Sequence, residues 1–105
     1  MFILEDSKAN ILVLDDEEMA RKIEPYWSKL PHLKKIILWS GKAPEKSADI
    51  VSWKEVMRAG MDDLNNQPVL ERQRNMAINQ CCVLVYTSGT TGTPKGKFAT
   101  KGKGL

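Results

Sequence analysis

Cys82-Val83-Leu84-Val85-Tyr86-Thr87 runs straight into Ser88-Gly89-Thr90-Thr91-Gly92-Thr93-Pro94-Lys95-Gly96, and the reading of this chain turns on that junction. The first six residues are the most apolar segment of the sequence and predict a buried strand. The loop after it is built for an anion. Gly89, Gly92 and Gly96 let backbone amides approach a bulky group closely. Thr87, Ser88, Thr90, Thr91 and Thr93 add hydroxyl donors, and Lys95 adds a mobile positive charge. Ligands of open α/β sheets bind at the carboxyl ends of strands, which is where this loop falls. Neither G-x-x-x-x-G-K-[ST] nor G-x-G-x-x-G is present.

Upstream, strand-like and helix-like segments alternate. Residues 10–14 (Asn-Ile-Leu-Val-Leu) read as a buried parallel strand, and Asp15 with Glu18 reads as a capping box. Met19, Ile23, Tyr26 or Trp27, and Leu30 follow at helical spacing. Pro25 predicts a kink or two short helices. Residues 35–39 predict a second strand, residues 42–46 a surface loop, and residues 48–51 a short edge strand. Ser52-Trp53-Lys54-Glu55 spells a second capping box, with Gly60 placed for a left-handed C-cap. Residues 61–67 read as a loop. Pro68 suits a first helical position, with a helix over 69–76. The alternation predicts an α/β fold, an incomplete parallel or mixed sheet with flanking helices.

Composition narrows the class. Of 105 residues 42% are hydrophobic and 28% charged, as in soluble α/β proteins. Sixteen basic against 13 acidic residues give a net charge of +3, spread along the chain without the basic stripe of a nucleic-acid protein. No apolar run approaches the roughly 20 residues of a spanning helix, and the first residues do not form a signal peptide. An intracellular, soluble protein is the expectation. Cys81 and Cys82 are adjacent, which disfavours a disulfide between them. They read as small buried hydrophobes. A single histidine, His32, and no second cysteine pair exclude a zinc-ligand pattern.

The full string Tyr86-Thr87-Ser88-Gly89-Thr90-Thr91-Gly92-x-Pro94-Lys95-Gly96 resembles the signature phosphate loop of the adenylate-forming superfamily. Residues 30–34 (Leu-Pro-His-Leu-Lys) and 79–86 (Asn-Gln-Cys-Cys-Val-Leu-Val-Tyr) resemble its bubblegum-type long-chain acyl-CoA synthetases, with gaps, over about residues 9–96. The resemblance implies part of the large N-terminal domain of such an enzyme. It implies ATP and magnesium as cofactors, with a long-chain fatty acid and coenzyme A as further substrates of the intact enzyme. It places Thr87, Ser88, Gly89, Thr90, Thr91, Gly92, Thr93 and Lys95 on the β- and γ-phosphates. It also implies a cytoplasmic enzyme, peripheral to intracellular membranes when intact.

After Gly96 the resemblance ends. Lys97-Phe98-Ala99-Thr100-Lys101-Gly102-Lys103-Gly104-Leu105 departs from the family pattern, and no crossover helix follows the last strand. The expectation is a cut-off domain over residues 1–96 with a non-family tail over 97–105. No catalytic or metal-binding residue is assigned, and the chain alone is expected to be inactive and prone to self-association through exposed apolar surface. Two other readings stand beside it. One is an interaction or regulatory fragment without catalysis. The other rests on Asn10 to Glu17, which resembles the opening of a response-regulator receiver, but residues 53–60 supply no strand-ending aspartate.

Overall fold

The computed structural model describes residues 2–45, 47–88 and 94–100, without the side chains of Ser88 and 94–100. The chain divides into two compact units: residues 4–64, and residues 1–3 with 65–105. A short helix α1 (Phe2–Ser7) opens the chain.

The first unit is a three-stranded parallel sheet of order β1-β2-β3: β1 (Ile11–Leu14), β2 (Lys35–Leu38) and β3 (Ile50–Ser52). The expected strands at 10–14 and 35–39 are therefore present, and the edge strand lies slightly later than expected. Between β1 and β2 run α2 (Glu17–Ile23) and a 3-10 helix (Glu24–Lys29). Pro25 sits in the first turn of that 3-10 helix, so the chain takes the two-helix alternative.

The α2 cap is Asp16 rather than Asp15. The ladder continues past β1, because Trp39 N donates to the Leu14 carbonyl and Ser40 N to the Asp15 carbonyl, at 2.8 and 2.7 Å. Asp15 is thus still held by the sheet, and Asp16 is the first residue free to cap. Its carboxylate accepts from Met19 N at 3.0 Å. The helix buries Ala20, while Met19 is exposed.

Strand alternation then decides the core. Leu12, Leu14, Ile36, Leu38 and Ile50 occupy one face, against Ala20, Ile23, Leu30 and Leu33. The Trp27 indole donates to the Leu33 carbonyl at 3.1 Å, satisfying its polar edge as the ring packs on this core.

The second capping box forms as expected, at the start of α3 (Trp53–Asp62). Glu55 N donates to the Ser52 hydroxyl at 3.3 Å. The Ser52 N–H and hydroxyl donate to the Glu55 carboxylate at 2.6 and 2.7 Å. These bonds, the backbone one first, hold the Glu55 carboxyl below its ordinary range. Its stabilising contribution is complete above the unfolded carboxylate pKa of about 4.3 and is lost as pH falls through the lower folded value. Ser52→Ala is expected to cost about 1 kcal/mol. It should also shrink the acid-side loss of stability between about pH 4.3 and lower values, as read by urea melts at several pH values. An unchanged acid limb would count against the box.

Gly60 does not terminate α3. Its φ is not positive, and the helix runs on until Asp63 N donates to the Ala59 carbonyl. Among the described residues, the left-handed glycine is Gly41, with φ +82, after β2.

The second unit holds α4 (Gln67–Arg74), with Pro68 in its first turn, and a two-stranded antiparallel sheet of β4 (Cys81–Ser88) and β5 (Pro94–Thr100). The apolar run before the loop is thus a strand, but it pairs with the segment after the loop rather than with β1–β3. Residues 97–100, in the expected non-family tail, belong to that partner strand. Cys81 and Cys82 are exposed, against the expectation of burial, in a strand with one paired neighbour among the described residues.

Candidate functional site

β4 delivers the loop. Val83, Val85, Tyr86 and Thr87 are β-branched or aromatic residues suited to a pleated surface. Leu84 and Tyr86 are half-buried, and the Tyr86 ring meets Phe2 edge-on with centroids 6.5 Å apart. Val83, Val85 and Thr87 alternate with them and are exposed. Thr87, one of the residues read as phosphate-binding, is therefore on the exposed face of its strand.

β5 returns the chain in register. Tyr86 pairs with Gly96, Thr87 with Lys95, and Ser88 with Pro94. Pro94 starts the strand, the position where a missing N–H is tolerated. The ladder shifts between Cys81 and Val83, as a β-bulge does, at the end remote from the loop. Of the residues read as phosphate-binding, Thr87, Ser88 and Lys95 are thus brought together at the base of the hairpin. Gly89, Thr90, Thr91, Gly92 and Thr93 lie outside the described residues.

The Asp16 carboxylate caps α2, and Ser40 Oγ donates to the Asp15 carbonyl at 2.9 Å. Among the described residues, no group of three or more His, Cys, Asp or Glu could hold a metal ion. No helix among them is long and apolar enough to cross a membrane. His32 is exposed, and its carbonyl accepts from Asn10 Nδ2 at 2.9 Å. It lines a small cleft with Leu4, Glu5, Ala9, Lys29, Leu30, Pro31 and Leu33.

Comparison with known proteins shows the family. The AMP-binding enzyme family matches residues 1–103. Long-chain-fatty-acid–CoA ligase ACSBG1 of Rattus norvegicus is 38% identical over 97 residues, covering 90% of this chain and 13% of its own length. Long-chain-fatty-acid–CoA ligase ACSBG2 of Gallus gallus is 42% identical over 98 residues, covering 90% of this chain and 12% of its own length. The Homo sapiens ACSBG1 ligase is 38% identical over 97 residues, with 90% and 13% covered. No solved structure matches. The chain therefore spans about an eighth of the length of these curated relatives, all of the bubblegum type that its own residues resemble. With the family matched along nearly its whole length, this chain belongs to the AMP-binding enzyme family.

Proposed function

We propose that residues 87–95 are the ATP phosphate-binding loop of a long-chain fatty acid–CoA ligase. The observation that carries the reading is the register of β4 and β5, which sets Lys95 across from Thr87 at the loop base. The likeness to the ACSBG1 and ACSBG2 ligases supports the substrate class. In the complete enzyme the fatty-acid carboxylate attacks the α-phosphate of ATP. An acyl-adenylate and pyrophosphate form, and the coenzyme A thiol then displaces AMP. Thr87, Ser88, Thr90, Thr91 and Thr93 donate to the β- and γ-phosphate oxygens. Gly89 and Gly92 bring amides close, and Lys95 offsets charge on the departing pyrophosphate. Magnesium enters with ATP and shares the charge of the triphosphate. Residues 1–96 are assigned to the AMP-binding N-terminal domain, and 97–105 to a divergent segment. The intact enzyme works in the cytoplasm, against intracellular membranes.

The 105 residues hold the loop without the segments that, in the family pattern, bind ribose and the acyl chain or supply the catalytic lysine. Two results are expected of this polypeptide by itself. Magnesium-ATP should shift the amide resonances of residues 87–96 in ¹⁵N-labelled protein, whereas AMP should shift them far less. Palmitate, coenzyme A and magnesium-ATP together should release no pyrophosphate above blank. Shifts absent from the loop, or equal with AMP, would sink the phosphate-loop assignment. Sustained turnover would sink the inactivity of the isolated polypeptide.

A further inference from the structure

β5 is a weak strand by composition, yet its register decides what stands at the loop base. It begins with Pro94 and has Gly96 two places on. A glycine in a strand interior brings no side chain to pack, and register is weakly specified in glycine-containing strands. Residues 89–93 join the two strands, and their sequence is not one of the two-residue turns that fix a hairpin's register. A slip of one residue would set Lys95 across from Tyr86 or Ser88 and carry its position to the other face of the ribbon. The residue paired with Gly96 is Tyr86. Tyr86 is half-buried between exposed Val85 and Thr87, and its ring meets Phe2 edge-on. Phe2 belongs to the same compact unit as the hairpin.

We propose that Tyr86 is the positioning residue of the phosphate loop: its ring, opposite Gly96 and braced by Phe2, holds the register that sets Thr87 across from Lys95. The chemistry of the rung is the first reason. A large aromatic side chain across from a glycine covers backbone that the glycine leaves bare, a pairing that pins register in sheets. A one-residue slip would put Gly96 opposite Val85 or Thr87, on the exposed face, and the pairing with the ring would be lost. The second reason is the brace. An edge-on ring pair with centroids 6.5 Å apart lies in the favoured range for aromatic contacts, so Phe2 fixes where the Tyr86 ring can lie. The third is place. The irregular step between Cys81 and Val83 marks the register at the far end of the ribbon, and Tyr86 stands one rung from Thr87 at the loop end. Tyr86 is assigned no contact with phosphate. It acts through Thr87 and Lys95, so this inference deepens the phosphate-loop reading and rests on it for its purpose.

The test compares the full 105-residue chain with Tyr86→Phe and Tyr86→Val by nuclear magnetic resonance. Valine keeps strand propensity without a ring, and phenylalanine keeps the ring. Cross-strand Overhauser effects report each rung, and loop amide shifts titrated with magnesium-ATP report affinity. In Tyr86→Val the rungs at Tyr86–Gly96 and Thr87–Lys95 should be lost while Val83–Ala99 persists, with magnesium-ATP bound about tenfold more weakly. Tyr86→Phe should keep every rung and stay within about twofold of the parent in affinity. Intact loop-end rungs in Tyr86→Val overturn the proposal, as does their equal loss in Tyr86→Phe, because the ring would then not be what holds them. Loss of the whole ribbon, Val83–Ala99 included, overturns it in favour of a general packing role. Lost rungs with measurable but unchanged affinity overturn it as well. Rungs lost in Tyr86→Val and kept in Tyr86→Phe, with no magnesium-ATP shift in any of the three chains, would support the register role and sink the phosphate-loop reading instead.

Discussion

Leu38→Ala is expected to cost about 2–5 kcal/mol, the range for truncating a fully buried aliphatic side chain in a packed core. Leu38 has no exposed surface and sits in the central strand between Leu14 of β1 and Ser52 of β3, in the core cluster that includes Ala20 of α2. Removing it deletes transfer free energy and leaves a cavity that two short parallel neighbours cannot collapse into without breaking register. Small domains have only about 5–15 kcal/mol to lose, so residues 4–64 should be partly unfolded at 37 °C. The contrast is Met61→Ala. Met61 is 75% exposed on α3, and its loss should stay within about 0.5 kcal/mol of zero. Urea denaturation followed by tryptophan emission reports both. Equal effects of the two substitutions would mean that the core is not where the burial pattern puts it.

The second large effect concerns chemistry. In a full-length ligase carrying this loop, alanine in place of Lys95 should slow acyl-adenylate formation at least tenfold, about 1.4 kcal/mol of barrier. The thioester step from preformed acyl-adenylate should change less, because pyrophosphate has already left and the charge opposite Lys95 with it. Gly92→Val should be more damaging than Lys95→Ala, since a β-branched side chain blocks close approach of the backbone to phosphate. Single-turnover measurements of the two half-reactions separate this from a loop that only gates entry. Equal losses in both halves, or none in the first, would remove the role assigned to Lys95. Altered substrate affinity with unaltered rates would mean that the loop is a lid.

Legibility followed how local each determinant is. β1 and β2 are visible as continuous apolar runs, the capping box at Ser52 as a four-residue motif, and the helix break as Pro25. Each is decided within a few residues. The misplacements come from partners distant in sequence. Asp15 has a good capping side chain, yet Ser40 holds it in the ladder, so the cap moves to Asp16. Gly60 looks like a helix stop, but nothing in its surroundings requires a left-handed turn there, and the helix continues. The run from Cys82 to Thr87 carries no sign of which strand it joins. Its neighbour is β5, whose glycine and alternating lysines conceal a strand until the pairing is known. The loop was legible because it is spelled out residue by residue. The placement of Lys95 across from Thr87 was not, since register is a property of two segments together.

That pairing also bears on the order in which the molecule assembles. β4 and β5 are joined by a short loop, so their contacts close within a small stretch of chain and cost little loop entropy. Each parallel pair must instead wait for a longer connection, and β1 with β2 for the whole of α2 and the 3-10 helix to settle. Hairpins form in about 1–10 µs, while sheets with remote partners form later. A lone two-stranded ribbon is at best marginally stable, so early formation brings no lasting protection. Pulse-labelled hydrogen exchange should therefore show amides of residues 83–87 protected first during refolding yet exchanging fastest in the native protein, with amides of residues 36–38 the reverse. The strand pair that frames the phosphate loop would then be quick to form and quick to open, beside a slower-forming, longer-lived parallel sheet.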